Sequence, residues 1–170
     1  MGMPTQAIRD LLGRGSMPRT KRIVLVTATI SLGLASLATA QQEGAKGVVA
    51  IRQATMDANG KHMTAIKVIL TEDPQLIKLV AFHAQAIAEA AEYVPEMFPE
   101  GSTQKPTAAL PVIWEKQDQF KQAAERAHGL AGKLAETSQG GDVQATLAAF
   151  AALGKEGCGG CHETFRKKQD

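Results

Sequence analysis

VQATLAAFAALGKEGCGGCHETFR, residues 143–166, is the stretch that decides the fold of this 170-residue chain. Val143, Leu147, Phe150, Gly154, Cys158, Cys161 and Phe165 recur at steps of three and four and line one face of a helix. Asp142 stands before it as an N-cap, after a Gly140-Gly141 break. Inside the helical pattern lies Cys158-Gly159-Gly160-Cys161-His162, a C-x-x-C-H sequence. Two thiols at that spacing reach the two vinyl groups of one porphyrin, and the adjacent imidazole stands under the iron. The glycine pair lets the macrocycle lie close to the backbone. The motif therefore reads as the covalent attachment site of one haem c, through Cys158 and Cys161, with His162 as axial iron ligand. A zinc site needs four ligands, and the chain has no second Cys/His cluster. A thioredoxin-type redox disulfide needs a strand before the motif, and here a helical pattern precedes it.

Three further segments carry helical spacing. The first runs from about 43 to 70, with the seam Val49, Arg52, Met56, Asn59, Met63, Ile66 and Leu70, two of them polar. The second is expected to open at Asp73-Pro74 and stop at Pro95, with Leu76, Val80, His83, Ile87, Ala90 and Val94 inward. A connector from Pro95 to Leu110 holds three prolines and a Gly-Ser pair, and crosses an end of the domain. The third segment opens at Pro111, with Ile113, Gln117, Phe120, Ala124, Ala127, Leu130/Ala131 and Leu134 inward. Four amphipathic helices joined mostly by short turns predict an all-α, antiparallel four-helix bundle with haem c on the C-terminal helix. Ala-rich, aromatic-poor composition agrees, because Ala loses least on entering a helix.

Upstream of the bundle the pattern is that of export. Arg19, Lys21 and Arg22 precede an apolar run from Ile23 to Leu37, which closes on Ala38-Thr39-Ala40. Residues 1–40 read as a signal peptide region cleaved before Gln41, with Met17 a candidate true start. An N-terminal membrane anchor is the alternative. Residues 41–170 form the mature domain, expected in the periplasm without stable membrane insertion. Lys and Arg total 19 against 17 Asp and Glu, which leaves no concentrated basic face for nucleic acid.

A haem motif in the last helix, eight residues from the end of the chain, resembles the cytochrome c′ family, the class II cytochromes c. Further matching residues are Ile51-Arg52-Gln53-Ala54-Thr55-Met56 with Gly60, Phe98-Pro99, Ile113-Trp114 and the Cys158 to Arg166 block. The resemblance implies that Met56 lies at the distal haem face. The run from Met56 to Gly60 is similar to the low-spin branch, in which a helix 1 Met is the sixth iron ligand. The expectation is thus a six-coordinate, low-spin cytochrome that carries single electrons between redox partner proteins. The alternative is a five-coordinate protein that binds nitric oxide or carbon monoxide. Docking to a dehydrogenase as a cytochrome subunit is a third reading, and a homodimer is compatible with all three. No acid/base pair or separate nucleophile suggests an enzyme.

The resemblance implies that Arg52 pairs with the haem propionates, that Arg166 lies near the proximal imidazole or haem edge, and that Trp114 packs on the porphyrin. Phe120 and Met63 read as core. His83 lies on an apolar seam and reads as a half-buried histidine, with bis-His ligation as the alternative. His62 and His128 read as surface residues, and Lys167 and Lys168 as a solvated tail.

Overall fold

The computed structural model describes residues 46–168. The expected signal peptide, Met17 start and cleavage point lie outside the described residues. The described chain is helical, and its rods form the expected four-helix bundle. The rods are α1 (Gly47–Glu72), α2 (Leu79–Glu92), the single turn α3 (Val112–Glu115) running into α4 (Gln117–Gln139), and a last rod of three parts. That last rod is α5 (Val143–Ala152), a π-helical stretch (Leu153–Gly159) and α6 (Gly160–Phe165).

Local chemistry explains most of the boundaries. The Asp142 carboxylate accepts from the Ala145 N–H at 3.0 Å and caps α5. Gly141 before it has φ +77°, which a residue with a Cβ adopts only with strain. The second rod departs from expectation at both ends. Asp73-Pro74 starts a short 3₁₀ turn, Pro74–Leu76, and α2 begins only at Leu79. The inward seam there is Ile77, Val80, Ala84, Ile87, Ala91 and Val94, whereas Leu76 is 48% exposed. The third rod is broken at Lys116, whose φ −127°, ψ 49° is not helical.

The larger core joins α1, α2, α4 and the last rod through Ile66, Leu70, Val80, Ile87, Leu134 and Leu153. Each such side chain, fully buried, contributes about 1.5–3 kcal/mol. A second cluster at the other end holds Val94, Ile113, Phe120, Ala124 and Phe165. The connector closes that end. Leu110 N–H donates to the Phe165 carbonyl at 3.0 Å, and Lys167 N–H donates to the Ala108 carbonyl at 2.8 Å. These two bonds tie the connector alongside the end of α6.

Candidate functional site

The site grows out of the last rod. Cys158 lies in the π-helical stretch, where bonds span five residues and the helix takes one more residue per turn than expected. Gly157 is buried just before it. A Cβ there would stand 3.1 Å from Leu153 Cδ1 and 3.4 Å from the Ala127 backbone, so the rod approaches α4 closely at this point. Cys161 and His162 follow on α6.

The two cysteines are half-buried and form no disulfide. Cys158 packs against the aliphatic core and Cys161 against the aromatic one. Burial pushes both thiols up, and Cys161 reaches about 11 because Cys158 adds to the effect. A disulfide-exchange cysteine has its pKa depressed, the opposite direction. Burial, and secondarily the Arg166 charge, lower the pKa of His162. Its imidazole is therefore neutral near pH 7, the form that ligates iron.

His162 and Cys161 line a cavity of about 370 Å³. Val49, Arg52 and Met56 of α1, Phe98 and residues 107–109 of the connector, Ile113, Phe165 and Arg166 also line it. Val49, Phe98, Ile113 and Phe165 went unassigned to the site from sequence. Val49 and Phe165 share helical faces with Arg52 and Cys161, which is the signal that could have found them.

Arg52 is 4% exposed and no carboxylate among the described residues pairs with it. Its Nε donates to the Met97 carbonyl, Nη1 to the Ser102 carbonyl at 3.0 Å, and Nη2 to the Ser102 hydroxyl. The guanidinium lies 4.2 Å from the centre of the Phe98 ring. Burial lowers its pKa. The donor set fits haem c: two thiols, a neutral imidazole, largely apolar walls and a buried cation at the cavity edge.

Trp114 is not part of the cavity wall. Its Nε1–H donates to the carbonyls of Phe98 and Pro99, so it anchors the connector. Arg166 is exposed at the cavity rim. Phe120 is core, with ring centres 4.9 Å from Phe98 and 5.1 Å from Phe165. Met63 packs on the aliphatic core. His83 is away from the cavity, facing His62 across α1 and α2. The bis-His alternative therefore has no geometric support. His128 is exposed.

The family described as Cytochrome C' matches residues 47–166. A cytochrome c′ from Pararhodospirillum photometricum is 40% identical over 120 residues, 70% of this chain and 95% of that protein. A cytochrome c′ from Rhodospirillum rubrum is 34% identical, over 86% of this chain and 98% of that protein. Among solved structures, a cytochrome c′ with an unusual ligand-controlled dimer dissociation is similar with TM-score 0.66 and 26% identity. It covers 74% of this chain and 100% of that one. A nitric oxide complex of a variant cytochrome c prime from Alcaligenes xylosoxidans shares the fold, with TM-score 0.62 and 22% identity, over 72% of this chain and 94% of that one. These findings overturn the expectation of a six-coordinate, low-spin electron carrier bonded through Met56. The two relatives carry the name cytochrome c′, and one structure of the same fold is a nitric oxide complex of a cytochrome c prime. On its C-x-x-C-H motif, its four-helix bundle and the match over residues 47–166, the chain belongs to the cytochrome c′ family, the class II cytochromes c, and carries one covalently bound haem c.

Proposed function

We propose that this protein binds a diatomic gas, nitric oxide or carbon monoxide, in the cavity that His162 shares with α1. The observation that carries the reading is that apolar Val49 and Met56 line the same cavity as His162. When attached, haem c would supply an iron able to take one such ligand. His162, held neutral by burial, is the axial ligand in this reading, and Cys158 and Cys161 form the two thioethers. Val49 and Met56 keep water away from the gas face and limit what fits there. Arg52, buried without a carboxylate partner among the described residues, meets the propionates. Arg166 at the rim favours the neutral imidazole through its charge. No catalytic step is part of the proposal.

Export to the periplasm belongs to the same reading, on the signal pattern of residues 1–40. Among the described residues no helix is long and apolar enough to cross a membrane. Self-association belongs to it too. One similar solved structure is of a cytochrome c′ dimer, and Ile51, Val68, Leu76 and Leu79 stand exposed here.

Absorption spectra of the purified holoprotein test the proposal. The expected result is a high-spin ferric spectrum and ready carbon monoxide binding by the ferrous form. Met56→Ala should leave the spectrum high-spin and speed gas entry. A low-spin resting protein that refuses carbon monoxide would sink the reading.

A further inference from the structure

Outside the haem site, two histidines converge where α1 meets α2. His62 Nδ1 and His83 Nδ1 are 2.9 Å apart, and the ring centres are 5.2 Å apart with a 52° tilt. Both rings are half-buried, and neither lines the haem cavity. The edge of the neighbouring Phe82 ring stands against both. At this separation the two nitrogens cannot both carry a proton, because two N–H groups would point at each other. One proton shared between two Nδ1 atoms is the occupant that water supplies. Burial, then the proximity of His62, lower the pKa of His83, which keeps lone pairs available near neutral pH.

We propose that His62 and His83 form a second metal site, which binds a divalent transition cation of the Zn²⁺ or Cu²⁺ class between α1 and α2. Imidazole nitrogen suits these ions. A tetrahedral Zn²⁺ bonded to both nitrogens at about 2.0–2.1 Å would hold them about 3.3 Å apart. The two rings need to part by only a few tenths of an ångström from the 2.9 Å observed. Binding displaces the shared proton to solvent. No group of three or more His, Cys, Asp or Glu surrounds the pair among the described residues, so water completes the coordination. The ion would staple α1 to α2 and is chemically separate from the haem iron.

Calorimetric titration of the ferric holoprotein with Zn²⁺ tests this. His62→Gln and His83→Gln should each lower the affinity by more than about tenfold, since even loss of a group that only orients a metal ligand costs about 10–100-fold. His128→Gln should leave it unchanged. Haem absorbance and melting of each variant without zinc establish that it folds. Zn²⁺ should raise the melting temperature of the unaltered protein and not of the two variants. With Cu²⁺, electron paramagnetic resonance should show imidazole nitrogen coupling that both substitutions remove. Zinc affinity in His62→Gln and His83→Gln equal to that of the unaltered protein would overturn the proposal. So would no melting shift of the unaltered protein at millimolar Zn²⁺, or a copper signal that survives both substitutions.

Discussion

Around Ile66, Leu70, Val80, Ile87, Leu134 and Leu153, the rods meet on aliphatic side chains that are at most 5% exposed. Around Val94, Ile113, Phe120 and Phe165, the neighbours are aromatic rings, a methionine and a thiol, and a cavity of about 370 Å³ lies beside them. The first region is completed by its own side chains, as a close-packed interior should be. The second is built to be completed by a prosthetic group. Its shape is kept by polar anchors instead: Arg52 and Trp114 hold connector carbonyls, and the connector's backbone bonds to the end of α6. The contrast shows how one bundle holds a stable half and a receptive half. Aliphatic interdigitation closes space, while hydrogen bonds to a loop hold a wall in place without filling it.

The sharpest way to break that contrast is to truncate one side chain in each region. Leu134→Ala should destabilise the holoprotein by about 3–5 kcal/mol, the cost of a buried leucine plus the void it leaves. Val49→Ala, at the wall of the haem cavity, should cost about 1–2 kcal/mol, the transfer of two methyl groups. Denaturant unfolding measures both. Equal losses would mean that the haem end is packed as tightly as the aliphatic core.

Removing an anchor should have a smaller effect than Leu134→Ala. Arg52→Met strands the Met97 and Ser102 carbonyls and the Ser102 hydroxyl, at a cost of about 2 kcal/mol. Hydrogen exchange should then quicken in residues 95–110 and not in α2. Uniform loss of protection across both regions would show that the connector is not held independently.

The smallest effect concerns pH in the stable half. The folded pKa of His83 lies below the ordinary imidazole value of 6.5, so the unfolded chain binds a proton there more readily. The stability this group contributes is complete above pH 6.5 and is lost as pH falls through the folded pKa. Melting temperature should therefore drop as pH falls below 6.5, and less steeply in His83→Gln. Identical slopes would remove His83 from the balance.

Much of the architecture was legible from local patterns. The Asp142 cap, the Gly140-Gly141 break, the proline-rich connector and the three-four spacing of the seams all act within a few residues. The π-helical stretch was not legible, because its extra residue follows from how the last rod packs on α4 at Gly157. Leu76 read as core because Asp73-Pro74 resembles a helix start, yet the chain makes one 3₁₀ turn there before α2 begins. Arg52 was singled out by a polar side chain on an apolar seam. Its partners, 45 and 50 residues away, follow only from where the connector lies. His62 and His83 occupy different helices, and no spacing rule pairs them.

The sequence by itself determined the covalent chemistry, because two thiols and an imidazole within five residues can serve one porphyrin whatever surrounds them. It also determined the helical rods, because amphipathic spacing is a local property. Tertiary structure decided what stands around His162: α1 brings Val49 and Met56 to the cavity. A side chain of the right type lies on the right seam, but bonding to iron depends on distances between rods, which packing sets and local spacing does not encode.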